Sequence, residues 1–169
     1  MLVFCTITLN FKKIAFSFKH FSDRFCVRYV IERLRVTYIK GFIMKIRVYY
    51  EDTDTGGVVY HSNYLNFCER ARSECFFKIG LTPELENGHF VARKVIADYF
   101  VGAKLGDELE ITTELVEMKG ASFVLKQNIF RDEKRIFELI ITLVYITFKG
   151  KPQKLDAKSK ELVLSLFQT

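Results

Sequence analysis

The apolar residues of the chain recur with two different periods. From Asn63 to about Ile79 they return every three or four residues, which is the spacing of one face of an α-helix. Gly80 marks the expected end of this helix, because glycine readily adopts the left-handed conformation that closes many helices. Ser62 or Asn63 is expected to cap its first turn through a side-chain oxygen. The pattern therefore predicts one long amphipathic helix.

The second pattern, near-regular alternation of apolar and polar residues, predicts β-strands. One strand is expected before the helix, at Lys45–Tyr50, and a second helix closes the chain from about Ala157 to Leu166. Short polar segments separate the later strands, as in hairpins, so the sheet is expected to be antiparallel. These later strands are predicted at Phe90–Val101, Glu108–Met118, Ser122–Arg131 and Arg135–Lys149.

The last of these strands is apolar on both faces. Ile140 and Val144 occupy one face, and Leu139 and Ile141 occupy the other. A strand buried on both faces is normally central in its sheet. One helix covers only one face, so the other is expected to pack against a second copy of the chain.

Length and charge limit the classes of protein to consider. With 169 residues, 49% of them apolar, the chain can bury one ordinary core and is too short for two. The net charge of +6 lies in residues 1–43, where eight Lys/Arg accompany two acids; the 18 basic residues that remain of 26 balance the 18 acids that remain of 20. No nucleic-acid partner is therefore expected.

Residues 1–43 form a basic, aromatic leader. Their longest uncharged run, the first eleven residues, is far below the roughly 20 apolar residues of a membrane span. Three interpretations are open: translation that begins at Met44, a basic extension that touches a membrane surface or partner, and a targeting segment. The first is preferred, and one folded domain is expected over residues 44–169.

The cysteines do not indicate a metal site. Cys5, Cys26, Cys68 and Cys75 form no CxxC pair and have no zinc-ligand spacing. Cys68 and Cys75 lie about 10 Å apart along the predicted helix, beyond disulfide reach. They are expected to be core residues in a reducing compartment, which predicts a cytoplasmic protein.

Candidate chemistry is concentrated between Tyr50 and Tyr64. This segment reads YEDTDTGGVVYHSNY and leads directly into the predicted helix. A carboxylate near a helix N-terminus lies beside backbone donors that can hold an oxyanion. Asp54 and His61 are therefore the candidate acid/base groups. The glycine pair between them is expected where the backbone takes positive φ or approaches a neighbour closely.

This segment, with Phe67-x-Glu69-Arg70-Ala71-Arg72 after it, resembles the Tol-Pal-associated acyl-CoA thioesterases, relatives of 4-hydroxybenzoyl-CoA thioesterase. The resemblance runs from Met44 to about Leu166. It implies an α+β hotdog fold, in which an antiparallel five-stranded sheet wraps around one long central helix. It also implies a homodimer or homotetramer with active sites at the dimer interface.

The activity implied by the resemblance is hydrolysis of acyl-CoA to a free acid and CoA, with no metal or cofactor. Asp54 would attack the thioester carbonyl or activate water, and the His61 backbone N–H would hold the oxyanion. The His61 imidazole could also protonate the departing thiolate. Candidates for substrate binding are Gly57, Val58, Tyr60 and Asn63, with packing and helix capping as the alternatives for the last two.

Several of these polar residues have simpler interpretations. Asp54 could cap its own turn, Asp52 is expected to be a structural acid, and Glu69 is expected to contact Ser73 or Arg72.

Candidate cations for the CoA phosphates are Arg93, Lys94, Lys119, Lys126, Lys149 and Lys151.

Two rival functions remain open. One is another hotdog enzyme, either an acyl-carrier-protein thioesterase or a dehydratase, although the placement of Asp54 and His61 argues against a dehydratase. The other is an acyl-binding or scaffold protein of a cell-envelope complex.

Overall fold

The computed structural model describes residues 42–167, which form one antiparallel sheet and two α-helices. The predictions for residues 1–41, including those for Cys5 and Cys26, lie outside the described residues. The elements are β1 (Phe42–Arg47), α1 (Asn63–Phe77), β2 (Glu84–Leu85), β3 (Gly88–Tyr99), β4 (Glu108–Met118), β5 (Ser122–Arg131), β6 (Lys134–Thr147) and α2 (Ala157–Phe167).

The sheet has the strand order β1-β4-β5-β6-β3-β2. β6 lies between β5 and β3, so its predicted interior position is confirmed. The prediction of five strands omitted β2, which has two residues and pairs only with Gly88 and His89. Two residues are too few to produce a detectable alternation, which is why the sixth strand was missed.

The first strand differs from its prediction at both ends. It starts at Phe42 rather than Lys45, and Phe42 and Ile43 pair with β4. It ends at Arg47 rather than Tyr50, because the Asp52 carboxylate accepts the Tyr49 N–H at 2.8 Å and the chain turns into a 3-10 helix at residues 50–52.

Helix α1 packs against the sheet and is closed at Gly80 as predicted, although its last helical residue is Phe77 rather than Ile79. Gly80 has φ +74°, its N–H donates to the Phe77 carbonyl, and the Leu81 N–H donates to the Phe76 carbonyl. This is the left-handed closure common at helix C-termini. The buried residues of α1 are Tyr64, Phe67, Cys68, Ala71, Cys75 and Phe76.

The predicted side-chain cap of α1 was wrong. Ser62 occupies the cap position but has helical dihedrals, φ −70° and ψ −24°, and its side chain makes no capping hydrogen bond. Capping serines usually have extended dihedrals, which aim the hydroxyl at the first turn. Asn63 is also directed elsewhere, because its Nδ2 donates to the Asp52 carbonyl at 3.0 Å.

A buried polar cluster lies beneath α1 within an otherwise largely apolar core. Gln127 of β5 is fully buried, and it links Cys68 of α1 to Thr113 of β4 through its Nε2. Its Oε1 accepts a hydrogen bond from Arg72. Helix α2 completes the core through Phe167, whose ring lies 6.0 Å from that of Phe76. Within residues 42–167, no helix is long and apolar enough to cross a membrane.

Candidate active site

Asp54 begins a tight turn that is closed by three hydrogen bonds. Its N–H donates to the Val58 carbonyl at 2.9 Å, and its carbonyl accepts the Gly57 N–H at 3.0 Å. Its Oδ1 accepts the Gly56 N–H at 2.8 Å. The carboxylate thus caps the turn, as the simpler interpretation proposed, and the side chain is nevertheless exposed.

Both glycines of the turn meet their expected requirement. Gly57 has φ +72°, in the left-handed region that favours glycine. A Cβ on Gly56 would lie 3.0 Å from Asp54 Oδ1. A side chain at residue 56 would therefore displace the Asp54 carboxylate from its present position.

The turn is joined to the entrance of α1 through the backbone of Asp52. Thr53 pairs with Val59, and the Asp52 carbonyl accepts both the Tyr60 N–H at 2.8 Å and Asn63 Nδ2 at 3.0 Å. The Asp52 side chain is buried and holds the Tyr49 N–H. The structural role predicted for Asp52 is confirmed.

His61 follows directly, at the start of the helix entrance. Its side chain is exposed, its ring lies 4.3 Å from that of Tyr60, and its carbonyl accepts the Tyr99 hydroxyl at 3.0 Å. Among residues 42–167, no acceptor engages the His61 N–H. The amide expected to hold an oxyanion therefore retains its hydrogen-bonding capacity.

The other predicted residues of the segment have identifiable neighbours. Val58 packs against Gly102, since a Cβ there would lie 3.0 Å from Val58 Cγ1. Tyr60 is exposed, and Asn63 anchors Asp52 as described above. Glu69 accepts the Ser73 hydroxyl at 2.6 Å, which confirms its predicted structural role.

One functional feature was missed from the sequence: the loop of residues 102–107 between β3 and β4. Ala103 accepts the Val59 N–H at 2.8 Å and donates its own N–H to the Tyr64 hydroxyl at 2.8 Å. Arg131 and Asp107 form an ion pair of 2.6 Å at the same loop. These contacts join residues far apart in sequence, so no local spacing predicted them.

The cysteines of α1 are unsuited to nucleophilic catalysis. Burial raises the pKa of both Cys68 and Cys75 to about 12, so each remains a thiol near neutral pH, whereas the reactive form is the thiolate. Among residues 42–167, there is no cluster of three or more His, Cys, Asp or Glu that could hold a metal.

Three of the six predicted cations line one groove. Arg93, Lys94 and Lys119 surround a space of about 310 Å³, together with Ser122 and Thr142. Lys119 is also 3.2 Å from Glu117. Of the other three candidates, Lys126 pairs with Glu138 at 3.1 Å, and Lys149 and Lys151 do not line this groove.

An open apolar depression lies near the other end of α1. It has a volume of about 530 Å³ and is lined by Phe77, Pro83 and Phe90 together with the polar residues Thr82, Glu84 and His89. Phe77 is half exposed, although it ends a helix that is otherwise packed on the sheet. The depression therefore exposes aromatic side chains at that end of the described structure.

Comparison with known proteins identifies the family. The chain is 47% identical over 117 residues to the acyl-CoA thioesterase YbgC of Haemophilus influenzae, an alignment covering 66% of this chain and 86% of that protein. Residues 56–138 also match the thioesterase superfamily. The chain belongs to this superfamily.

A further relative is the acyl-CoA thioesterase YbgC of Helicobacter pylori, which is 56% identical over 87 residues. That alignment covers 52% of this chain and 65% of the relative, so the chain spans slightly less than two thirds of the Helicobacter protein.

Solved structures confirm the hotdog fold. A probable thioesterase from Bartonella henselae has a TM-score of 0.61 and 34% identity, covering 68% of this chain and 96% of that one. A Thermus thermophilus thioesterase complexed with coenzyme A and Zn has a TM-score of 0.66 and 26% identity, covering 76% and 97% respectively.

Proposed function

We propose that the protein hydrolyses acyl-CoA thioesters to a free carboxylic acid and CoA. The observation that carries this proposal is an exposed Asp54 carboxylate, held on a turn whose neighbouring backbone is hydrogen-bonded to the helix entrance. The same entrance presents the His61 N–H, which has no acceptor among the described residues. The names of the relatives support the substrate class.

In the proposed reaction, the acyl–sulfur bond breaks and the acyl carbon gains an oxygen from water. Asp54 either attacks the carbonyl carbon, forming an anhydride that water then cleaves, or removes a proton from the attacking water. The His61 N–H stabilises the negative charge on the carbonyl oxygen. The His61 imidazole delivers a proton to the departing thiolate, and no cofactor takes part.

The proposed site for the CoA phosphates is the groove containing Arg93 and Lys94. Cationic side chains bind phosphate through charge-assisted hydrogen bonds. Lys119 is a weaker candidate, because Glu117 already neutralises part of its charge. Gly57, Val58, Tyr60 and Asn63 remain proposed contacts for the rest of the substrate.

The variant Arg93→Ala/Lys94→Ala tests this groove. The KM for acyl-CoA is expected to rise by about 10-fold or more, because two phosphate partners are lost. The KM for an acyl-pantetheine without phosphates should stay unchanged. Steady-state kinetics with both substrates measures the difference, and Lys134→Ala/Lys158→Ala is the control for the loss of two exposed positive charges. Equal KM changes for both substrates would exclude this phosphate site.

We also propose a homodimer joined along β3. Among the described residues, β2 covers only the first two residues of the free edge of β3, which leaves residues 90–99 without a strand partner on that side. Val95 and Ile96 are both 44% exposed there. Exposed apolar edges of this length favour pairing with another strand.

A two-fold axis would join two β3 edges in antiparallel orientation. The Phe90 end of one strand would then lie beside the Tyr99 end of the other. Since Tyr99 contacts His61, the acyl group in this dimer would extend from His61 toward the apolar depression of the partner subunit. The outer sheet face could join two dimers into the tetramer implied by the resemblance.

The variant Val95→Asp tests the β3 interface. An unpaired charge at this edge is expected to weaken dimerisation by about 3 kcal/mol or more, and activity should fall at the concentrations where monomers appear. Val116→Asp is the control, because Val116 is also exposed (59%) but lies on β4. Sedimentation across a dilution series measures the dimerisation of both variants, and activity is assayed at the same concentrations. An unchanged dimer in Val95→Asp would contradict the interface.

The direct test of the function is thiol release from a panel of thioesters running from acetyl-CoA to palmitoyl-CoA and including benzoyl-CoA. Turnover of any member supports the proposal and defines the acyl class. If only acyl-carrier-protein thioesters are hydrolysed, the substrate is an acyl-carrier-protein thioester rather than an acyl-CoA thioester.

An association with a Tol-Pal-type cell-envelope complex is the alternative role. This role rests on the resemblance of residues 51–72. The predicted cytoplasmic location rests instead on the cysteines, which are expected to be reduced. Binding of acyl-CoA without turnover, in a folded protein, would favour an acyl-binding or scaffold function over catalysis.

A further inference from the structure

The loop of residues 102–107 contacts both halves of the proposed active site. Ala103 is fully buried. Its carbonyl accepts the N–H of Val59, which lies across the turn from Asp54, and its N–H donates to the hydroxyl of Tyr64, in the first turn of α1. One residue of the loop therefore joins the Asp54 turn to the helix that follows His61.

Gly102 makes the second contact with the turn. Its backbone approaches Val58 so closely that a Cβ would lie 3.0 Å from Val58 Cγ1, and the Val58 carbonyl accepts the Asp54 N–H at 2.9 Å. A shift of this loop would therefore be transmitted to Asp54 through a single residue.

Arg131, at the end of β5, anchors the loop. Its Nη1 donates to Asp107 Oδ2 at 2.6 Å and to the Gly102 carbonyl at 3.2 Å. Asp107 Oδ2 also accepts the Lys104 N–H at 2.8 Å. The two side chains are only 25% and 23% exposed, so solvent screens the pair less than it would on the open surface.

Both members of the Arg131–Asp107 pair are charged at neutral pH. Burial raises the pKa of Asp107, but the hydrogen bonds from Arg131 and the Lys104 N–H lower it, and the net shift is downward. Asp107 therefore stays ionised at neutral pH, and the anchor persists there.

We infer that Arg131 and Asp107 are positioning residues of the active site, which hold loop 102–107 so that Ala103 keeps Asp54 and the helix entrance in register. The inference rests on the proposed function of Asp54. Neither residue touches the reacting atoms. A displacement of about 1 Å in a reacting group can reduce the rate by about 10²-fold, so a loosened loop is sufficient to impair the reaction.

The kinetic test compares Arg131→Met and Asp107→Asn with the wild type. We expect kcat to fall by about 10- to 100-fold while KM changes less than about twofold, and Arg131→Lys should recover most of kcat. The control is Glu138→Gln, which removes the ion pairs of Glu138 with Lys126 (3.1 Å, side chains 16% and 31% exposed) and with Arg135. An unchanged kcat, or a loss explained by the unfolded fraction, would overturn the inference.

Amide hydrogen exchange tests the same inference without activity. In Arg131→Met, exchange at the Val59 and Gly57 amides should accelerate by about 10-fold, as expected for local opening, while Leu125 in the middle of β5 stays protected. Unchanged exchange at Val59 would overturn the inference. If Arg131→Met does not fold, Asp107→Asn provides the same measurement, whereas Arg131→Lys should keep the wild-type exchange rate at Val59.

The two proposals can fail separately. A wild-type protein that hydrolyses no thioester would exclude the proposed function, whereas the exchange rates would still decide whether Arg131 holds the turn. If Asp54→Asn abolishes hydrolysis while Arg131→Met and Asp107→Asn keep wild-type activity, the proposed function stands and the positioning role is excluded.

Discussion

Asp54→Asn is expected to reduce acyl-CoA hydrolysis by about 10²- to 10⁴-fold while leaving the fold intact, as is typical when a general base is removed. The amide is nearly isosteric with the carboxylate, and its oxygen can still accept the Gly56 N–H that closes the turn at 2.8 Å. It cannot act as a nucleophile or base. Thiol-release kinetics at saturating substrate measures the loss.

The control for this variant is Asp156→Asn. Asp156 is another exposed aspartate whose Oδ1 accepts a backbone N–H in a turn, that of Ser159 at 2.7 Å, but it lies at the start of α2, outside the proposed site. It should retain wild-type activity. If Asp54→Asn keeps more than half of the wild-type rate, Asp54 is only a turn-capping residue and the catalytic assignment is wrong.

Gln127→Met is expected to lower the free energy of unfolding by about 3 kcal/mol, because it leaves buried polar groups without partners. Methionine has a similar volume, so little of this cost comes from a cavity. The Thr113 hydroxyl would lose its 2.8 Å donor, and Arg72 would lose its 2.5 Å acceptor. Burial already lowers the pKa of the Arg72 guanidinium, which shows that its charge is poorly solvated.

Urea unfolding of matched variants measures this cost. Asn128→Ala alters a neighbouring amide on β5 that faces the opposite side, where it accepts a long 3.5 Å bond from Arg135, and it should cost less than about 1 kcal/mol. The double variant Arg72→Met/Gln127→Met should be more stable than Gln127→Met, since the unpaired charge is also removed. Additive costs would show that the two residues are not coupled.

The long helix and the later strands were predictable because each has a strong local period. Helix α1 begins at Asn63 as expected and ends at Phe77, two residues before its predicted end. The β5–β6 hairpin turns at Asp132 and Glu133, which both have positive φ and form the tight connection that a polar spacer predicted. The local sequence was sufficient for these elements because the period of the apolar residues distinguishes a helix from a strand, whatever the element packs against.

The errors occurred where a specific side-chain contact, rather than the local apolar period, decides the conformation. β1 was predicted to continue to Tyr50, but the Asp52 side chain binds the Tyr49 N–H and turns the chain. Ser62 or Asn63 was expected to cap α1, but Asn63 reaches back to Asp52 and Ser62 takes helical dihedrals. Gln127 and Arg131 carried no motif at all, because their partners are 14 to 59 residues away.

The sequence by itself determined the family, the central helix, the strand alternation and the residues that could react. These depend on the order of residue types, and on a motif long enough to be specific. The tertiary structure alone decided how those residues are held: Asp54 by the glycine turn, the turn by Ala103, and Ala103's loop by Arg131. Such support depends on distances between separate strands, which folding sets and local sequence patterns do not encode.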